Sequence, residues 1–238
     1  CLNFPNPEKG STGWRMAEVI AGMSEALTAL EVPVVSGNVS LYNESATRAI
    51  LPTPVVGMMG VLERADRSVG HAFTHSGDIV LLVGEDGVLD ASEYAARPGG
   101  ARPGIDVGRE VAAIELVLSA AGEGVLRSAH DVSGGGLAVA LAESAMAGGL
   151  GARVELDAGA RDDEVLFGEG GGRMLLTVSG EEAAAGLERR GAESGVRVRR
   201  LGVVGGESVS VSVGGREVAI GLDEARAAYE RGLPEALA

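Results

Sequence analysis

AHDVSGGGLAVALAE, residues 129–143, reads as the end of a strand, a glycine turn and the start of a helix. Gly124 to Asp131 has the length of a short strand, and Ser133 to Gly136 is a tight turn. Leu137 to Met146 is rich in alanine, the residue of highest helix propensity. A strand that turns into a helix is the unit of an α/β fold, and the alternation extends outward on both sides. Upstream, Gly77-Asp78 opens an apolar strand over Ile79 to Gly84, and Asp106 to Ala121 carries Val107, Val111, Ile114 and Leu118 on one helical face. Between them RPGGARPG, residues 97–104, is a loop by composition. Downstream, strands are predicted at Val154 to Leu156, Arg173 to Val178, Arg197 to Val204, Ser208 to Val213 and Glu217 to Ile220. Helices are predicted at Glu181 to Arg190 and Asp223 to Arg231. The last strands follow one another closely enough for hairpins, so the class is mixed α/β, or α+β.

The N-terminal part differs in pattern. From Ser11 to Leu30 the apolar residues Met16, Ile20, Met23, Leu27 and Leu30 recur at helical spacing, with Ser11 or Thr12 as cap. VPVVSGNVSLY, Val32 to Tyr42, alternates with period two and predicts a strand. Pro52 and Pro54 break the chain before a second strand-length run, Val55 to Leu62. A domain boundary is expected near residues 65–77, between a first domain at 1–70 and a second at 71–238.

The chain has 238 residues, enough to bury a core without disulfide or metal staples. Its formal charge of −14 opposes phosphate-backbone binding, and three Phe, three Tyr and one Trp are too few for a base-stacking platform, so no nucleic-acid partner is expected. A single Cys rules out an internal disulfide and any multi-Cys metal site. No apolar run reaches the roughly 18 residues of a membrane span, and no signal segment opens the chain, so a cytoplasmic protein without membrane partners is expected. The start at Cys1 suggests a processed product or a piece of something longer.

On the predicted strand, Ser36, Asn38, Ser40 and Tyr42 form a polar row with spacings of about 6.5–7 Å. Such a row suits a hydrated Mg²⁺ through an amide oxygen and phosphate or ligand hydroxyls through its own hydroxyls, with Gly37 allowing close approach to the backbone. The alternative is a solvated strand face. At HDVSGGG, free N–H groups at the helix start would make an anion site, with Asp131 able to hold a cation beside it. Otherwise Ser133 is an N-cap and the glycines a tight connection; no Gly-Lys-Ser/Thr follows, so it is not a Walker A loop. FGEGGGR, residues 167–173, offers Glu169, the three glycines after it and Arg173 to a phosphate, or is a plain surface turn. Lys9, the only lysine, precedes the first helix and either meets a phosphate or does nothing in particular. His71, His75 and His130 lack zinc-site spacing. An N-terminal Cys1 nucleophile would imply a glutaminase-type hydrolase, but Pro5 and Pro7 interrupt the strand such a site needs.

Five blocks in this order, CLNFPNPEK, PVVSGNVSLYNE, ILPTPVVGMMGVLE, AHDVSGGGLAVALAE and LFGEGGGR, resemble the second half of the phosphoribosylformylglycinamidine synthase family. These are the PurL-type synthetases of purine biosynthesis, within the PurM-like superfamily. The resemblance implies a partial PurM N-terminal-type α/β domain followed by a complete C-terminal-type α/β domain, the third and fourth domains of the full enzyme. It implies an ATP- and Mg²⁺-dependent carbon–nitrogen ligase that converts formylglycinamide ribonucleotide and glutamine-derived ammonia into formylglycinamidine ribonucleotide. In that family ATP is thought to activate the amide oxygen for attack by ammonia.

Carried over by the SGNVS match, Gly37 contacts ATP, Asn38 binds Mg²⁺ and Ser40 touches the substrate. No catalytic residue falls in this chain, because the family's catalytic histidine lies in the first half. Asp131 and Glu169, counterparts of first-half metal and substrate elements, join Lys9 as auxiliary nucleotide or metal candidates. The implied partners are a PurQ-type glutaminase subunit, a small PurS-type subunit, and the missing first half or a second copy. The isolated chain is expected to be inactive. The alternatives are an inactive structural nucleotide-binding fragment and another PurM-like ATP-dependent synthase. Two positions depart from the family pattern: Pro5 stands where glycine is usual, and Gly134 where an acidic residue is usual.

Overall fold

The computed structural model describes residues 1–90, 92–95, 104–157 and 161–237, which form two compact units, Cys1–Glu63 and Arg64–Ala238. Of the loop read at 97–104, all but Gly104 lies outside the described residues. No helix among the described residues is long and apolar enough to cross a membrane.

In the first unit Leu2–Asn3 (β1) is the middle strand of a three-stranded sheet, parallel to Val39–Ser40 (β2) and antiparallel to Thr53–Pro54 (β3). Phe4 and Pro5, directly after β1, are buried. The amphipathic stretch forms Thr12–Ala29 (α1); Ser11 occupies the cap position, but its hydroxyl makes no capping bond.

Two expectations are not met here. The period-two stretch Val32 to Tyr42 is strand only at the two residues of β2, where Leu2 and Asn3 of β1 pair with it in parallel. Among the described residues no strand pairs with Val34 and Val35, and both are exposed. Val55 to Leu62 forms no strand either, and Met59 and Val61 stand almost fully in solvent. An alternating pattern selects a face, whereas a strand also needs a partner.

The second unit runs Ile79–Val83 (β4), Val107–Glu123 (α2), Leu126–Asp131 (β5), Gly136–Gly148 (α3), Ala152–Leu156 (β6), Asp162–Phe167 (α4), Met174–Val178 (β7), Gly180–Ser194 (α5), Val198–Val204 (β8), Ser208–Val213 (β9), Arg216–Gly221 (β10) and Leu222–Ala236 (α6). Its seven strands make one sheet, ordered β10-β9-β6-β8-β4-β7-β5, antiparallel except between β6 and β9. Central β4 is buried along its whole length. Val80 and Leu82 join a core with Leu137 and Leu141 of α3, while Ile79, Leu81 and Val83 join a core with Leu116 and Val117 of α2 and Leu187 of α5. Helices thus cover both faces of the sheet, which is why β4 carries no polar side. Full burial of a residue such as Leu81 stabilises by roughly 1.5–3 kcal/mol.

Every strand and helix expected after residue 77 forms, with ends shifted by up to a few residues. The short helix α4 was not expected; its first turn holds Asp162, Asp163 and Glu164, whose charges favour a helix N-terminus but carry no apolar period. In β8, Gly202 lies opposite Val154, and a β-carbon there would sit 1.9 Å from the Arg153 carbonyl oxygen, so only glycine permits this pairing.

Candidate functional site

In the first unit β1 positions the polar row. Leu2 N donates to Asn38 O at 2.8 Å and Phe4 N to Ser40 O at 3.0 Å, which pins the main chain on both sides of Val39. The Asn38 and Ser40 side chains come together: Ser40 Oγ donates to Asn38 Oδ1 at 3.0 Å. Asn38 is exposed and Ser40 half-buried, so neither is lost in packing. Gly37 beside them is also exposed, and a β-carbon there would meet nothing within 4 Å, so the approach to its backbone is open. Ser36 and Tyr42 do not extend the row. Ser36 and Tyr42 lie outside any strand, and Tyr42 adopts a left-handed conformation at φ +59°.

Asn38 Oδ1 keeps a second lone pair after accepting from Ser40. One hard amide oxygen suits a cation that takes its other ligands from water and phosphate, which is how Mg²⁺ binds with nucleotides. Among the described residues no three His, Cys, Asp or Glu side chains gather to hold a metal. A magnesium site here therefore fits as a shared one, completed by the ligand's own oxygens.

Lys9 is not free. Its ammonium pairs with Glu44, and that hydrogen bond holds the Glu44 carboxyl below the usual carboxylate range. Asn43 locks the same turn: its N donates to Phe4 O at 3.1 Å, and its Nδ2 to Ser40 O at 2.8 Å and Phe4 O at 3.3 Å. Sequence reasoning passed over Asn43 and Glu44. The available signal was an Asn directly after the predicted strand's end at Tyr42, where its side chain commonly closes a turn on the backbone.

In the second unit Asp131 ends β5 with its carboxylate 74% exposed. The Ser133 hydroxyl beside it, helped by its own backbone and by His130, holds that carboxyl below the usual range. His130 contacts Asp131 through Nδ1 at 3.3 Å and Glu143 through Nε2 at 3.0 Å. Ser133 is not the cap of α3; Gly135 is, at φ +83°. Gly136 follows at φ +68°, where a β-carbon would come within 2.8 Å of the Gly168 carbonyl oxygen. The glycines thus serve close packing of the turn on residues 166–168.

The amides expected to meet an anion already have acceptors within the chain. Gly135 N donates to Glu169 Oε1 at 2.9 Å, and Gly136 N to Ser133 O at 3.0 Å. Glu169 Oε1 also accepts from Glu93 N at 2.8 Å, and its main chain bridges to Val88. Arg173 is buried rather than displayed on a surface turn: Nη1 donates to Gly168 O at 2.7 Å, and burial disfavours its charged form. Nearby a cleft of about 190 Å³ is lined by Glu85, Asp86, Asp106, Glu110 and Glu169 against Arg109 and Arg197. That excess of carboxylates repels a triphosphate. Of the two departures from the family pattern, Pro5 is buried, whereas Gly134 has open space where a side chain would stand.

The family described as AIR synthase related protein matches through its N-terminal domain over residues 1–62 and its C-terminal domain over residues 75–214. The whole chain is 42% identical, over 244 residues, to the phosphoribosylformylglycinamidine synthase subunit PurL of Moorella thermoacetica, of which it covers 33%. Among solved structures, PurLQS from Thermotoga maritima superposes with a TM-score of 0.71 at 19% identity, over 94% of this chain and 37% of that one. T. maritima PurL complexed with ATP gives 0.68 at 19% identity, over 87% and 35%. At such identity the solved structures speak to the fold, which is the PurM-like mixed α/β class. The chain spans about a third of the length of the curated relatives it matches.

Proposed function

The chain belongs to the AIR synthase related family, and on that footing we propose that it supplies part of the ATP, Mg²⁺ and substrate site of a PurL-type phosphoribosylformylglycinamidine synthase. The reaction joins glutamine-derived ammonia to formylglycinamide ribonucleotide at the expense of ATP, an amide-to-amidine conversion of purine biosynthesis. The identity to PurL over the full length of this chain supports the assignment.

The observation that carries it is the Asn38–Ser40 pair, linked at 3.0 Å, with Asn38 exposed, and mounted on a main chain that β1 fixes. In this reading Asn38 Oδ1 ligates Mg²⁺, the Gly37 backbone lies along ATP, and Ser40 contacts the nucleotide substrate. Bound Mg²⁺ neutralises charge on the transferring phosphoryl group. The protein's contribution is preorganisation: Asn38 and Ser40 are set before the ligand arrives, so little is lost in ordering them. Lys9 acts through Glu44, by fixing the turn after β2, rather than by holding a phosphate. Asp131 remains an exposed carboxylate, a candidate ligand for an auxiliary metal rather than for a nucleotide, and Glu169 shapes the glycine turn beside it by accepting from Gly135 N.

The two units correspond, in this account, to the third and fourth domains of the complete enzyme, acting in the cytoplasm with PurQ-type and PurS-type subunits. Exposed Val34, Val35, Met59 and Val61 suit burial against the remaining half of the synthetase or a second copy. The chain alone carries no catalytic residue and gives no turnover. Incubating it with formylglycinamide ribonucleotide, Mg-ATP and ammonia tests this; product formation by the chain alone contradicts the proposal.

A further inference from the structure

Tyr42 combines a strained backbone with a side chain its own unit leaves largely uncovered. It is one of two non-glycine residues at positive φ among the described residues, at +59°, and it is 56% exposed. A residue with a β-carbon meets steric opposition in that region which glycine escapes.

The surrounding bonds hold the conformation in place. Phe4 N and Asn43 Nδ2 both donate to Ser40 O, Glu44 N donates to Tyr42 O at 2.9 Å, and Lys9 holds the Glu44 side chain. The chain is thus built to keep position 42 left-handed. A sequence with 38 glycines and three tyrosines nevertheless places a tyrosine there. Packing within the unit does not account for the ring, so strain that the neighbours sustain points to a role outside it.

We propose that Tyr42 is a binding residue for the base of the nucleotide held at Asn38, its ring offering a flat face on which the base stacks. The proposal rests on the nucleotide reading of the Gly37–Ser40 site. Tyr42 lies two residues past Ser40, at most about 7 Å along the chain. A nucleoside triphosphate anchored by its phosphates at Asn38 is long enough to bring its base there. Stacking on a tyrosine needs no particular hydrogen-bond pattern, and it adds affinity to the base without touching the phosphates.

The test separates base from phosphates. Calorimetry on the full chain compares Mg-ATP with Mg-tripolyphosphate, using wild type, Tyr42→Phe, Tyr42→Gly and Asn38→Ala. Glycine adopts the left-handed conformation freely, so Tyr42→Gly removes the ring and keeps the turn. Tyr42→Gly is expected to weaken Mg-ATP roughly tenfold and leave Mg-tripolyphosphate unchanged, while Tyr42→Phe retains both affinities. Equal loss for both ligands shows a backbone effect and overturns the proposal, as does no loss for either. A wild-type chain that binds neither ligand, or Asn38→Ala binding like wild type, overturns the site reading itself and the role of Tyr42 with it.

Discussion

The Ser40 hydroxyl holds the Asn38 amide, Oγ to Oδ1 at 3.0 Å, in the stretch of chain that β1 fixes at Asn38 O and Ser40 O. Because that bond sets the orientation of the amide oxygen, Ser40→Ala is expected to weaken Mg-ATP binding by a few-fold to roughly tenfold, the range of a neutral hydrogen bond. Ser40→Thr retains the hydroxyl and is expected to retain the affinity. Calorimetry showing wild-type affinity in Ser40→Ala contradicts the orienting role.

The Lys9–Glu44 pair predicts a pH dependence. Lys9 holds the folded-state Glu44 carboxyl below its ordinary value of 4.5. A carboxyl lowered in this way adds stability that is fully present above the unfolded-state value and is lost as pH falls through the folded-state one. Thermal midpoints are therefore expected to favour wild type over Glu44→Gln near pH 7 and to converge well below pH 4.5. A gap that stays constant down to about pH 3 rules out the ion pair as its source.

Glu169 supplies one oxygen to two amides, Gly135 N and Glu93 N. Glu169→Ala leaves both without that acceptor and is expected to cost about 1–3 kcal/mol in denaturant unfolding, with faster amide exchange at Gly135 and Glu93. Glu169→Gln, which keeps an oxygen, is expected to lose less. Unchanged exchange in Glu169→Ala contradicts the bridging role.

The two units are expected to answer truncation differently. Leu81, fully buried in β4, is expected to cost about 2–5 kcal/mol as Leu81→Ala. Met59, 98% exposed, is expected to change stability by less than about 0.5 kcal/mol as Met59→Ala. A large loss from Met59→Ala, measured on the chain alone, shows that the residue is covered in solution.

The second unit was legible because each apolar run finds a sheet neighbour or a helix to cover it. Leu81 and Leu82 lie on opposite faces and still both pack, so a continuous apolar run was the correct sign of a central strand. Val34 and Val35 carried an equally plain pattern, but among the described residues the pairing with β1 covers only Val39 and Ser40, and both valines are exposed. At the site, period two put Asn38 and Ser40 on one face, as their 3.0 Å bond shows, but it left a solvated strand face as the alternative, and only the SGNVS resemblance gave them roles. Glu44 was not, because its partner Lys9 lies 35 residues away, beyond any local pattern. The glycine turn looked open to an anion for the same reason: the carboxylate bonded to Gly135 comes from 34 residues further along.

The most direct test of the nucleotide site is calorimetric titration of the chain with Mg-ATP, wild type beside Asn38→Ala and Asp131→Ala. The account predicts binding by wild type, a loss of tenfold or more in Asn38→Ala, as expected for removing a ligand of the metal, and near wild-type affinity in Asp131→Ala. Binding that survives Asn38→Ala and disappears in Asp131→Ala contradicts it and moves the nucleotide to the second unit.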